Sequence, residues 1–231
     1  MLSCRMDPNA GYAQAYGEVF ARVYNRYWSS FAERMAPALV ELFARLQPGA
    51  AGLRVLDVCC GTGQLARELV AAGYEVVGID LSAHMLEHAK ANNAAAVADG
   101  RAEFLLGDAA SFSIDRPVSI AVSIFDALNH LPDERALAGC FASVSDALEP
   151  GGHFVFDLNT PLGLARWNGI NVEESDEVTI INRGIYAPGA ERAFTSITGF
   201  LRRADGAWDR FREIAYETVF PHDRVVDLLV R

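Results

Sequence analysis

The residues best placed to do chemistry are acids set around a glycine turn. In Val55-Leu56-Asp57-Val58-Cys59-Cys60-Gly61-Thr62-Gly63-Gln64-Leu65-Ala66 a β-rich run reaches an acid, passes two glycines and opens into a helical pattern. Such a strand–turn–helix unit holds a ligand at a helix N-terminus. Gly61-x-Gly63-x-x-Ala66 fits the dinucleotide fingerprint, and Asp80 ends the next β-rich run, where a ribose-binding acid is expected. On that loop alone an NAD(P)-dependent oxidoreductase is one reading.

Asp57 separates the readings. A carboxylate at the tip of the first strand faces a pyrophosphate with like charge in a partly desolvated site. S-adenosylmethionine instead brings an ammonium and a sulfonium to this end, carries no phosphate and still offers a ribose diol to Asp80. Two other constellations are weaker. His84 and His88 stand four apart on an expected helix, a metal-binding spacing with no third ligand nearby, so no metal is expected. Cys59 and Cys60 adjoin a helix N-terminus, which lowers thiol pKa values, but a small buried hydrophobe is the plainer role for either.

The elements that must position these groups follow from periodicity and breakers. Between 9 and 47, Tyr12, Tyr16, Phe20, Val23, Tyr24 and Tyr27, then Phe31, Met35, Leu39, Leu42, Phe43 and Leu46 recur at helical spacing. Two helices are expected, with Pro37 near a turn or kink, and a break at 48–52. Strands at 53–58, 75–80, 102–106, 118–124 and 153–158 alternate with helices at 64–72, from Ser82, and at 133–148, the last stopped by Pro150-Gly151-Gly152. Alternation of this kind predicts an α/β fold, a doubly wound, mostly parallel Rossmann-like sheet with helices on both faces and its ligand beyond the strands' C-terminal ends. After Pro161 three longer strands, 177–186, 193–202 and 208–220, predict an antiparallel β insert.

Composition narrows the function classes. The 231 residues are 51% hydrophobic, with 20 Lys and Arg against 30 Asp and Glu. A net charge of −10 repels a polyphosphate, so no nucleic-acid partner is expected. Four cysteines, at 4, 59, 60 and 140, form no C-x-x-C, and no apolar run approaches the ~20 residues of a membrane span. A cytoplasmic protein without a membrane partner is the expectation.

With these motifs the sequence resembles the class I S-adenosylmethionine-dependent methyltransferases. Beyond the glycine loop, Gly78-Ile79-Asp80-Leu81-Ser82-x-x-Met85-Leu86 is similar to that family's second-strand acid, Leu106-Gly107-Asp108-Ala109 to its third-strand acid, and Leu148-Glu149-Pro150-Gly151-Gly152 to the turn before its fifth strand. Small-molecule members with Tyr-rich N-terminal helices and a Phe-Asp-x-x-Asn-His element, here from Phe125 to His130, are the nearest in kind. The resemblance implies that Asp57, Cys59, Gly61, Thr62 and Gly63 cradle the methionine moiety, that Asp80 with Leu81 takes the ribose, and that Met85 packs on adenine. Asp108 and Ala109 would meet the adenine amino group, and Phe125 would close the pocket.

For the transfer itself, an in-line displacement needs alignment and exclusion of water more than a triad. Tyr24 first and Tyr16 second are candidates beside the methyl group, although each ring taken alone also fits an apolar helix face. His130 follows the fourth strand, where a base for an amine or hydroxyl belongs, with a structural loop histidine as the alternative. Trp28, Asn129, Trp167 and Tyr186 are the candidate contacts to a small-molecule acceptor, nitrogen preferred over oxygen. The expected organisation is a helical lid at 1–50, a cofactor-binding core at 51–160, a β insert or cap at 161–222, and at 223–231 the start of a helix that the resemblance would continue into two edge strands. That expected truncation leaves two alternatives, a cofactor-binding relative without turnover or a different terminal architecture, and makes the insert or the bare sheet edge the expected surface of a homodimer.

Overall fold

The structure, a computed structural model, describes residues 16–47 and 53–230. The helical pattern around Tyr12, the break at 48–52, Cys4 and Arg231 lie outside the described residues. Two helices, α1 (Glu18–Tyr27) and α2 (Ser30–Leu46), precede the sheet strands β1 (Arg54–Val58), β2 (Glu75–Asp80), β3 (Ala102–Leu106), β4 (Val118–Ser123) and β5 (Leu148–Phe156). All five pair in parallel in the order β3-β2-β1-β4-β5. Leaving β1 the chain winds outward through β2 and β3 and then returns to β4, so the strand order reverses beside β1 and opens a crevice between the ends of β1 and β4.

The strands are short and β-branched because both faces are covered. On one face α2, α3 (Gln64–Ala71) and α4 (Ala83–Asn92) bury Phe43, Leu65, Leu69 and Leu86 against Val55, Val76 and Ile120. On the other, α6 (Glu134–Ala147) and α8 (His222–Leu229) bury Leu137, Phe141, Val144 and Val225 against Leu56, Val77 and Ala121. A one-turn helix, α5 (Ala94–Ala98), follows α4. Ser82 caps α4 and Asp133 caps α6, each side chain accepting a backbone N–H of the first turn.

Three sequence expectations change. Pro37 lies inside α2, while the break between the helices falls at Trp28 and Ser29. The ring is exposed, so the Glu33 carbonyl that loses its helical donor has water beside it. Pro150-Gly151-Gly152 does not precede β5 but forms a bulge within it, where the register steps from Val118↔Leu148 to Ile120↔His153. The insert has four strands rather than three, in the order β6 (Gly169–Glu174), β7 (Val178–Ile185), β8 (Arg192–Arg202) and β9 (Trp208–Thr218), entered through the short α7 (Pro161–Leu164). Every residue of β6 is exposed, so its sequence lacks the buried alternation that marks β8.

Helix α1 joins the two sheets. Phe20 and Val23 are fully buried among Met85 of α4 and Ile180, Ile197 and Phe211 of the insert. Arg22 pairs with Asp209 at 2.9 Å and Arg26 with Glu177 at the rim. The helix is therefore a wedge with one face in a core, and its next turn, Tyr24, rests over the glycine loop.

Gly63 shows how tightly that loop is fixed. It sits in the left-handed region at φ 74°, and a Cβ there would lie 2.8 Å from Asn93 Nδ2 and 3.0 Å from Ala89. Gly63→Ala is expected to destabilise the fold by roughly 2–4 kcal/mol, from left-handed strain plus overpacking; denaturant unfolding of the two proteins checks it.

Candidate active site

Beyond the C-terminal ends of β1, β2 and β4 lies a cavity of about 820 Å³, roofed by α1, the start of α2 and the insert. Such a volume lies in the range of small-molecule sites. Backbone strain concentrates at its floor. Cys59, Phe125 and Asp126, none of them glycine, have φ of 62°, 68° and 49°. Such residues cost on the order of 1 kcal/mol or more each and persist where surrounding bonds over-determine them. Cys59 packs as a small hydrophobe against the core, and its left-handed backbone adds a conformational cost that its side chain alone does not announce.

The first half of the cavity is built on the glycine loop. Asp80 takes two backbone donors, Gly61 N–H at 2.8 Å on Oδ2 and Ser82 N–H at 2.8 Å on Oδ1, which fixes the carboxylate at the cavity wall. Burial raises its pKa, and these N–H groups oppose the shift. Asp57 is 3% exposed, and its Oδ2 has no hydrogen-bond partner among the described residues. Burial, then the neighbouring Asp80, push its pKa up to about 8. Asp57 lines a side recess of about 40 Å³ with Cys60, Gln64, Trp28 and Phe125, a space of ammonium size. An orphaned buried carboxylate beside such a recess fits a cationic ligand group and does not fit a phosphate.

An amide network secures the loop from behind. Asn25 of α1 accepts from Gln64 at 2.9 Å and from Asn92 at 2.7 Å, while Asn92 also donates to the Thr62 carbonyl and Asn93 to that of Gly63. Sequence reading missed these asparagines, because their spacing carries no motif. Thr62 is fully buried and donates to Gln64, so it supports the loop from inside, and Gly63 likewise lies behind the wall. Gly61, Cys59, Leu81, Met85, Asp108, Ala109 and Phe125 all reach the cavity lining.

Aromatic rings span the middle. Tyr16 stacks 6.5 Å from Tyr24, Tyr24 meets Trp28 at 5.8 Å and Phe125 at 6.3 Å, and Phe125 stacks on Phe31 at 4.4 Å. The Tyr24 ring comes within 3.7 Å of the place where a Cβ on Gly61 would stand. Burial, with surrounding carboxylates, raises the Tyr16 and Tyr24 pKa values, so both remain O–H donors and neither serves as a base at neutral pH. Cys59 and Cys60 are raised in the same way and stay thiols.

The second half gathers on the loop after β4. His130 accommodates a bond of 3.0 Å between Nδ1 and the Tyr216 carbonyl. A carbonyl only accepts, so Nδ1 carries the proton and Nε2 presents a lone pair. Burial lowers the His130 pKa, which keeps the ring neutral. Asn129 is fully buried and off the cavity wall: it accepts Asn159 N–H at 2.8 Å and donates to the Thr218 carbonyl at 2.9 Å, holding the loop against β9. Tyr186, also expected to touch an acceptor, packs with Leu164 and Ala193 beneath the insert instead. Trp28 and Trp167 do line the cavity, joined by Asn182, Thr195 and Glu217 of the insert, which no sequence pattern singled out.

Asp57 makes the ligand-free protein sensitive to pH. Its folded pKa lies above its unfolded value of about 3.9, so the folded state binds the extra proton and stability falls as pH rises from about 4 to about 8. Asp57→Asn is expected to flatten that decline and to raise the melting temperature at pH 8 by at least about 4 °C, equivalent to about 2 kcal/mol for a chain this long. Thermal melts of both proteins between pH 5 and 8 check it.

Known proteins agree with this geometry. Residues 55–152 match the methyltransferase domain family. The chain is 26% identical over 224 residues to the putative methyltransferase YqeM of Bacillus subtilis (strain 168), covering 95% of this chain and 83% of that protein. It is 31% identical over 155 residues to the dTDP-3-amino-3,6-dideoxy-alpha-D-glucopyranose N,N-dimethyltransferase of Streptomyces fradiae, 67% of this chain and 57% of the relative. Its fold is similar to that of an S-adenosylmethionine-dependent methyltransferase from Clostridium acetobutylicum ATCC 824, with a TM-score of 0.76 and 22% identity over 92% of this chain and 85% of the other. With an anion-rejecting glycine loop, a ribose-type acid on β2 and this match over β1 to β5, the chain belongs to the class I S-adenosylmethionine-dependent methyltransferases.

Proposed function

We propose that the protein methylates a nitrogen atom of a small acceptor, with the cofactor in the glycine-loop half of the cavity and the acceptor under the insert. The observation that carries this reading is one continuous cavity lined by Asp80, Met85 and Asp108 at one end and by His130, Asn182 and Glu217 at the other. The Streptomyces fradiae relative, named for dimethylation of an amino sugar, supports nitrogen as the target.

In this reading Asp57 holds the methionine ammonium, with the Gly61 and Gly63 backbone and the Cys59 and Thr62 turn shaping its bed. Asp80, still rich in lone pairs, accepts the ribose hydroxyls, while Leu81 and Met85 flank the base and Asp108 with Ala109 meets its amino edge. S-adenosylmethionine held by these residues would supply a sulfonium methyl to the acceptor nitrogen's lone pair, the C–S electron pair staying with sulfur. His130 takes the acceptor's proton at Nε2, so the nitrogen attacks as a free amine. Tyr16 and Tyr24 present ring faces and O–H dipoles to the methyl path and, with Trp28 and Phe125, keep water out. Trp167 covers the acceptor from the insert side.

Calorimetric titration with S-adenosylhomocysteine tests the cofactor half. Saturable binding is expected, weakened at least about tenfold by Asp80→Ala, since a hydrogen bond to a charged group contributes about 1.5–3 kcal/mol. Binding of NADH in its place by the folded protein would remove the reading. Methyl release to a panel of amino sugars and small amines tests the other half: His130→Gln is expected to lower kcat about a hundredfold while leaving S-adenosylhomocysteine affinity within about twofold. Faster turnover of the matching alcohols would count against nitrogen.

A further inference from the structure

We propose that the paired carboxyls of Asp126 and Glu217, bridged by Asn159 on the acceptor side of the cavity, bind the acceptor's nitrogen as an ammonium ion and thereby select amines over alcohols. This rests on the methyltransferase reading above and deepens it, because that reading leaves the choice of acceptor atom without a residue.

Both side chains line the cavity, and they arrive from different parts of the chain, Asp126 on the strained loop after β4 and Glu217 near the end of β9. Asn159 Nδ2 donates to Asp126 Oδ2 at 3.3 Å and to Glu217 Oε2 at 3.1 Å. Asp157 takes the backbone N–H groups of Phe125 and Asp126 at 3.1 and 2.7 Å, which holds Asp126 in its left-handed turn. Glu217 is 1% exposed. Burial first, then its hydrogen bond to Asp126, push its carboxyl up to about 10, so it keeps a proton that it shares with Asp126.

Such a group of carboxyls ordinarily carries a side-chain cation. Here no Lys or Arg pairs with Asp126, Asp157 or Glu217 among the described residues: of the two arginines that line the same cavity, Arg34 is turned to Ser30 and Arg166 makes no ion pair with these acids, while Arg192 lies over the Tyr216 ring. His130 beside them is held neutral by its bond to Tyr216 and by burial. A cation delivered by the ligand completes this arrangement. An ammonium offers three N–H donors and a charge, an alcohol one donor and none. The position suits transfer, since Tyr16 stacks on Tyr24 of the cofactor half and meets the His130 ring edge-on, with centroids 6.2 Å apart. His130 Nε2 on the same wall then receives the proton that the ammonium gives up before attack.

The test uses the protein saturated with S-adenosylhomocysteine and two probes of one shape, cyclohexylammonium chloride and cyclohexanol, titrated by calorimetry at pH 7.5. The ammonium is expected to bind at least tenfold more tightly, about 1.4 kcal/mol. The isosteric double variant Asp126→Asn, Glu217→Gln removes the charge, with asparagine well suited to the left-handed turn, and is expected to lose that preference while keeping S-adenosylhomocysteine affinity within about twofold. If the double variant does not fold, Asp126→Asn alone, which leaves Glu217 and its proton in place, is expected to cut the preference at least threefold. Equal binding of the two probes, or a preference that survives the substitutions, overturns the proposal while the cofactor reading stands. Folded protein that takes no S-adenosylhomocysteine overturns both.

Discussion

The structure turns on a carboxylate that the fold removes from water without giving it a partner. Asp57 is the next-to-last residue of the central strand, registered against Gly78 on one side and Val122 on the other, so its place is fixed by two parallel ladders rather than by its own contacts. Leaving a buried acceptor unsatisfied costs about 1–3 kcal/mol, more when it is charged. Such a cost persists where the group serves a ligand, and the surroundings are arranged to hold that geometry. Gly61 donates to Asp80 and not to Asp57, and the Asn92 and Asn93 amides, the former held by Asn25, donate to the Thr62 and Gly63 carbonyls from behind the loop. What remains facing inward is negative charge with room for a cation.

Roofing this floor requires a second structure, and the chain provides it with α1 and the insert. Phe20 and Val23 commit one face of α1 to a core shared with Met85 and Phe211, which leaves Tyr16, Tyr24 and Trp28 to face the cavity. The tyrosines are thereby held by packing, not by a hinge of their own, and their rings keep fixed distances from the glycine loop. On the opposite side the link is polar: Asn129, Thr218 and the His130 bond to Tyr216 lash the loop after β4 to the end of β9. A displaced insert would therefore carry His130 and Glu217 with it, so the acceptor half is organised by tertiary contact, whereas the cofactor half is organised by strand ends.

That difference explains what could be read in advance. Strand–turn–helix signals are local, so β1 to β4, the glycine turn, Asp80 and Asp108 stood in the sequence with their spacing intact. Pro37 misled because exposure lets a helix tolerate a proline whose lost bond water replaces. Pro150-Gly151-Gly152 reads as a stop because a turn and a bulge use the same residues. Strand β6 was invisible because an edge strand exposed on both faces has no alternation. Asn129 and Tyr186 carried the chemistry of contact residues, yet the fold spends one on backbone carbonyls of β9 and the other on the underside of the insert. Glu217 had no signal at all: a single acid in an amphipathic strand reads as solvent-facing until the neighbouring sheet shows that it points inward.

The two halves of the cavity handle charge by the same physical device. In each, burial raises a carboxyl toward neutrality, to about 8 for Asp57 and about 10 for Glu217, with another acid close by. A buried acid of this kind discriminates by what it lacks, because any ligand group without positive charge leaves its desolvation uncompensated. Reading the site as two cation-demanding ends joined by neutral aromatic rings also accounts for the middle. Tyrosines kept protonated by that same negative surround add no charge, so the cationic methyl donor and an amine acceptor can meet between them while the rings face the charge that transfer disperses. An alcohol acceptor would satisfy only one of those ends, and the acceptor half, with Asp126 and Glu217 on one wall and Asp157 holding the Asp126 turn, is built for the other case.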